Sequence, residues 1–197
     1  MKDLINLFMS AILAGICISI GCIVNLKIGG VIGAVLFSFG LLAVVHYGYS
    51  LYTGTAGFIT SFKDLLKLFF FTLTGNLVGC FLVALSVGLM MPEVRDLTIP
   101  IIEQRLSQEW YSSLLRAVFC GFLMTTAVKF GRGQLFLPLL FAVPVFILSG
   151  FYHSIADFCY LSINQLEINW VNYQGWVYSV LGNFIGCNLY RIRFINP

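Results

Sequence analysis

Long apolar runs, separated by short clusters of charge, dominate the chain. Six can be marked: Ile5–Val24, Gly29–Thr60, Leu65–Met91, Trp110–Val128, Leu135–Leu161 and Val171–Leu189. Each is close to or longer than the roughly 20 residues a helix needs to cross the hydrocarbon layer. Lys27, the Lys63/Asp64/Lys67 cluster, Pro92–Glu109, Lys129–Arg132 and Asn164–Trp170 read as the connections. Most are very short, so consecutive helices are expected to be antiparallel neighbours. The first run follows Lys2 as the core of a signal peptide would. Its span length, the neighbouring Asp3 and the spans behind it predict a retained first helix instead. The pattern predicts an all-α membrane protein of six transmembrane helices, with residues 1–197 forming one transmembrane domain.

Composition agrees with this reading. Charged residues make up 10% of the chain and hydrophobic ones 59%, with a mean hydropathy of +0.95. A soluble domain carries about 25% charged residues, so this surface is suited to a lipid bilayer and not to water. The 11 Lys and Arg against 8 Asp and Glu give +3, with no patch that could follow a phosphate backbone. A nucleic-acid partner is therefore excluded. Six spans occupy roughly 120 residues, which leaves no room for a soluble catalytic domain. Cys17, Cys22, Cys80, Cys120, Cys159 and Cys187 all fall in apolar stretches, where packing between helices is expected, not disulfides or metal ligation. No nucleophile–base constellation, HExxH or phosphate loop is present. The expectation is a protein that is not an enzyme, with no catalytic residues, metal or cofactor.

Charge asymmetry predicts orientation. With the N-terminus inside, Lys2, Lys63, Lys67, Lys129, Arg132, Arg191 and Arg193 face the cytoplasm, against Lys27, Arg95 and Arg105 outside. This bias places both termini in the cytoplasm of a multi-pass protein of the cell inner membrane. Trp110, Trp170, Tyr173 and Trp176 would then form an aromatic belt at the outer interface.

The two halves resemble each other. Gly75-Asn76-Leu77-Val78-Gly79-Cys80 in the third run matches Gly182-Asn183-Phe184-Ile185-Gly186-Cys187 in the sixth. Three spans per half is an odd number, so the second copy must cross upside down. The prediction is an inverted repeat of residues 1–91 and 108–197, with the site between the halves. Close-packing faces built on the paired glycines are compatible with that repeat.

The second and fifth runs are too long for single straight helices. Tyr49-Ser50-Leu51-Tyr52-Thr53-Gly54-Thr55-Ala56-Gly57 in one and Ser149-Gly150-Phe151-Tyr152-His153-Ser154 in the other are places where a helix can break. Irregular backbone at membrane depth belongs beside a polar pathway or buried in protein. Half-helices starting near Ala56 and Ser154–Ile155 would aim free N–H groups at that pathway, which suits an anion. His153, in the second break, is the main polar candidate. An ionisable group at this depth is a functional hypothesis, and a neutral histidine hydrogen-bonded inside a kink is the alternative. His46, nearer the start of its break, fits the bland role better. Asp157 could balance the histidine or cap a neighbouring helix.

Taken together, these motifs resemble the formate/nitrite transporter family, pentameric channels for small monovalent anions with an aquaporin-like protomer. Leu51-Tyr52-Thr53-Gly54-Thr55 is similar to that family's Leu-Phe-Thr loop. Gly150-Phe151-Tyr152-His153-Ser154-Ile155-Ala156-Asp157 is similar to its Gly-Phe-x-His-Ser-x-Ala-Asn motif. Both Gly-Asn motifs fit as well. The resemblance implies a homopentamer that conducts a small monovalent anion or its conjugate acid. It makes His153 the central pore histidine and Thr53 its loop partner, with Asp157, Asn76 and Asn183 along the pathway. Phe37 and Phe146 would form the outer constriction, and Leu41, Leu51, Tyr52 and Ala156 the cytoplasmic one.

Two departures bear on substrate. Glu109 falls where the family usually has lysine, with Arg105 and Arg116 as substitutes nearby, and Asp157 stands where the family has Asn. A channel for a small neutral solute, or a scaffold with a closed pore, are the alternative readings.

Overall fold

The helices follow the apolar runs closely in a computed structural model that describes residues 2–164 and 170–192. Helix α1 (Lys2–Ile28) carries Asp3 in its first turn and Lys27 in its last, the charge order that complements a helix dipole. The second run divides into α2 (Gly30–His46) and a half-helix, α3 (Tyr52–Thr55), extended by a 3-10 turn over Ala56–Phe58. The third run is α4 (Phe62–Lys67), a π-helical turn (Leu68–Leu73) and α5 (Thr74–Met90), joined as one rod. Then follow α6 (Pro92–Leu106), α7 (Trp110–Arg132), α8 (Phe136–Leu148), the half-helix α9 (Ser154–Asn164) and α10 (Trp170–Asn188). Among the described residues, α1, the Phe62–Met90 rod and α7 are each long and apolar enough to cross a membrane, and α2 and α8 are shorter apolar helices. The chain is an integral membrane protein. Val31, Ile32, Phe39, Leu137 and Phe141 are exposed on its outside, as lipid contact allows.

The two breaks are built alike. Both α2 and α8 end in a Schellman motif. Tyr49 N–H donates to Val44 C=O and Phe151 N–H to Phe146 C=O, each at 2.9 Å. The residue between is Gly48 in one and Gly150 in the other, at φ 68° and 67°, a conformation that a Cβ would strain.

Each following half-helix is then held by the asparagine of a Gly-Asn motif. Asn76 Oδ1 accepts from Tyr52 N–H, and its Nδ2 donates to Ser50 C=O and Ala11 C=O. Asn183 makes the same three bonds to Ser154 N–H, Tyr152 C=O and Ala117 C=O. Orphan backbone groups that water cannot reach are thus satisfied by a side chain far away in sequence. The glycines flanking these asparagines let α5 lie against α1 and α10 against α7. A Cβ on Gly79 would run into the Ile12 carbonyl, and one on Gly186 into the Val118 carbonyl.

Four expectations are corrected. The Pro92–Glu109 connection is mostly the helix α6, with Pro92 at its start, Glu93 in the first turn and Arg105 in the last. Its buried Val94, Thr98 and Ile102 recur at one helical face, and Thr98 Oγ1 accepts from Asn164 Nδ2 on α9 at 3.0 Å. The Lys129–Arg132 connection is the last turn of α7, which runs past Val128. The first half-helix starts at Tyr52 instead of near Ala56, because Asn76 supplies the acceptor for the Tyr52 N–H. Trp176 leaves the aromatic belt, since its Nε1–H turns inward to Ser154 C=O at 2.9 Å, whereas Trp110 is exposed as expected. Residues 165–169 of the expected Asn164–Trp170 connection lie outside the described residues, as do Arg193 and the side chain of Trp170.

Candidate functional site

The two half-helices meet at one side-chain hydrogen bond. His153, just before α9 and only 2% exposed, lies with Nε2 2.9 Å from Thr53 Oγ1 in α3. Its Nδ1 accepts the Ala156 N–H at 3.2 Å. That bond requires a bare Nδ1, so the neutral ring carries its proton on Nε2 and donates it to Thr53. The cysteines of the paired motifs brace the junction from opposite sides. Cys187 Sγ lies 3.3 Å from the carbonyls of both Thr53 and Gly121, and Cys80 Sγ 3.6 Å from those of both Ile155 and Gly15, so each thiol can donate to either.

Apolar side chains flank the histidine. Phe146 stacks on the imidazole with centroids 5.6 Å apart, and Phe37 meets Phe146 edge-on at 5.9 Å. Leu41, about one turn after Phe37 on α2, and Leu51 are buried. Tyr52 is a core anchor, with its hydroxyl donated to Val180 C=O at 3.0 Å and its ring against Phe69. Ala156 lines the cavity that Phe146 and His153 line. Asn76 and Asn183 are fully buried, with both amide hydrogens of each committed to backbone carbonyls. They support the breaks from behind. His46 is exposed at the end of α2, against Tyr47.

A cavity of about 140 Å³ opens beside His153, bounded by Phe146, Gly150, Asp157 and Arg105. Arg105 reaches it from α6. Its Nε donates to Asp157 Oδ1 at 3.1 Å, and its guanidinium lies 3.7 Å from the Tyr152 ring centroid. Asp157 Oδ2 also accepts the Ser179 hydroxyl at 2.9 Å. The carboxylate therefore balances Arg105, neither counter-charging His153 nor capping a helix. Arg116 donates Nη1 to Gly150 C=O at 3.2 Å and holds the second break. Glu109 sits at the start of α7 and lines a separate, wider cavity of about 350 Å³, which Arg105 also borders.

Ser179 was not legible as a site residue, because it reads as an ordinary position on an apolar run. The i, i+4, i+8 repeat of Val94, Thr98 and Ile102 was a usable sign of α6, and hence of the helix that carries Arg105.

The chain is similar to several known proteins. The uncharacterized transporter YwcJ of Bacillus subtilis (strain 168) is 30% identical over 151 residues, which is 68% of this chain and 59% of that relative's length. A solved pentameric formate channel with formate bound superposes with a TM-score of 0.82 at 21% identity, covering 96% of this chain and 95% of that one. A solved FNT family ion channel superposes with a TM-score of 0.83 at 18% identity, covering 94% and 87%. At those identities the structural likeness is one of fold. The family model for formate/nitrite transporters matches residues 1–192, through both breaks and both Gly-Asn motifs, and the chain belongs to that family.

Proposed function

We propose that this protein is a channel for small monovalent weak-acid anions of the formate, nitrite or hydrosulfide kind, with His153 at the centre of the pathway. The observation that carries this reading is the Thr53–His153 bond at the meeting of two broken helices, with the Phe146 ring stacked on the imidazole and an arginine-lined cavity beside it. A bare anion crossing such apolar surroundings loses its hydration at a cost of several kcal/mol. The same surroundings favour the neutral conjugate acid over the anion.

An anion that reaches His153 competes with Thr53 for the Nε2–H. Held by that hydrogen bond, with His153 staying neutral, the anion takes a proton from hydronium in the vestibule. It passes the constrictions of Phe37 and Phe146 and of Leu41 and Leu51 as the acid, and returns the proton to water on the far side. The buried hydroxyls of Tyr152 and Ser154, without partners among the described residues, flank the histidine in sequence and can take up hydrogen bonds during passage. The halves 1–91 and 108–197 act as inverted repeats, which puts His153 between them at the midplane. The same reading gives a homopentamer in the cell inner membrane with both termini in the cytoplasm. The formate-channel fold and the cation bias of one set of connections support it.

One observation favours a second reading. Asp157 neutralises Arg105, so the cavity beside His153 lacks the net positive charge an anion would seek, and a small neutral solute is the alternative cargo. The cavity itself speaks against a closed scaffold.

Formate flux into proteoliposomes tests the histidine. Wild-type flux should vary with the imposed proton gradient and collapse in His153→Phe. Undiminished, pH-independent flux in that variant would contradict the proposed role.

A further inference from the structure

A second arginine lies against the first break. A cavity of about 90 Å³ there is lined by Val44, Val45, Gly48 and Tyr49, together with Arg132 from the end of α7. Those four residues are the counterparts, in the matched Schellman motif, of Phe146, Ile147, Gly150 and Phe151, which line the cavity beside His153. Each break thus faces a cavity, and each cavity has an arginine brought to it by a helix outside the break.

Both arginines lie over an aromatic ring, but Arg105 is largely buried and Arg132 exposed, and they are balanced differently. Arg132 lies 4.0 Å from the Phe58 ring centroid, as Arg105 lies over Tyr152. Its Nη2 donates to Gly54 C=O at 3.4 Å, and Gly54 directly follows Thr53, the hydrogen-bond partner of His153. Val44 is about one helical turn from Leu41 on α2. Gly54, next to Thr53 in sequence, also lines this cavity. Arg105 gives its charge to Asp157, whereas among the described residues no carboxylate lies within ion-pair distance of Arg132. A guanidinium has five N–H donors, and among the described residues Arg132 uses one. A planar ring holding its face and unused donors at its edge are what a small carboxylate or nitrite requires.

We propose that Arg132 is an anion-binding residue of the first-break cavity, holding a formate-type carboxylate or nitrite there in the same pathway that Arg105 serves at the second break. With no acid among the described residues competing, the Arg132 cavity binds the anion more tightly than the Arg105 cavity. This inference rests on the anion-channel reading above. The bland alternative is a cation that merely complements the C-terminus of α7, a role Lys129 fills equally well.

Planar-bilayer recordings with formate supplied from one face at a time separate the two. In Arg132→Gln, the half-saturating formate concentration on the α7 C-terminal face should rise roughly tenfold, with a smaller change from the opposite face. Arg132→Lys, which keeps the charge and loses the fork, should fall between, and it carries the test if the glutamine variant fails to assemble. Lys129→Gln removes the same charge from the same helix end, outside this cavity, and should leave the value unchanged. No shift in either Arg132 variant, or an equal shift in Lys129→Gln, would overturn the assignment. A wild-type protein that conducts no formate at all would overturn the channel reading and this inference with it.

Discussion

Arg105 and Asp157 set the chemistry of the cavity beside His153. Nε–H of the arginine is engaged by the carboxylate and its face is covered by Tyr152, so an incoming anion meets a cation that is already answered. Replacing Asp157 by Asn keeps the hydrogen-bonding shape and removes the competing charge. The half-saturating formate concentration should fall roughly threefold or more in proteoliposome uptake. An unchanged or raised value would mean that Arg105 does not bind the permeating species. His153 could be singled out from the sequence because an ionisable group inside an apolar run has few bland explanations, whereas Thr53 followed from the family resemblance alone. Ser179 could not, since nothing in Val177-Tyr178-Ser179-Val180 marks one hydroxyl as the partner of an aspartate on another helix.

At the level of elements, the design rests on helices that stop inside the bundle and are finished by distant side chains. Asn183→Ala strands Ser154 N–H, Tyr152 C=O and Ala117 C=O in a region without water. Each buried orphan costs about 1–3 kcal/mol, so thermal unfolding in detergent should occur at a clearly lower temperature. Asn76→Ala, which strands the matched groups, should cost a similar amount. A variant as stable as wild type would remove the asparagines from this structural role. Both breaks were visible as glycine- and hydroxyl-rich patches, and the paired Gly-Asn motifs as a repeat. The starting residue of α3 was not visible, because the cap that fixes it, Asn76, lies two elements further on. Helix α6 was hidden for a different reason. Its charges resemble a loop unless the spacing of its three buried residues is weighed first.

For the whole molecule, the apolar surface raises the question of assembly. Val31, Ile32, Phe39, Phe130, Leu137 and Phe141 are exposed on a single copy and can be covered by lipid or by neighbouring protomers. The proposed homopentamer should appear as a five-copy species by native mass spectrometry from detergent. A monomer under conditions that keep the protein folded and conducting would contradict it. The overall fold was legible because span length, cation bias and the internal repeat are properties of the entire chain, which tolerate errors of a few residues. Cargo was less legible, because it turns on how two arginines and one aspartate are arranged across three helices.

The central claim, a pathway for small weak-acid anions governed by a buried histidine, is tested most directly by a substrate panel in proteoliposomes at two pH values. Formate, nitrite and hydrosulfide would be compared with ammonia, urea and glycerol. The account expects rapid flux of the weak-acid anions that changes with pH, together with little flux of urea or glycerol. Comparable flux of the neutral solutes, or anion flux indifferent to pH, would contradict it.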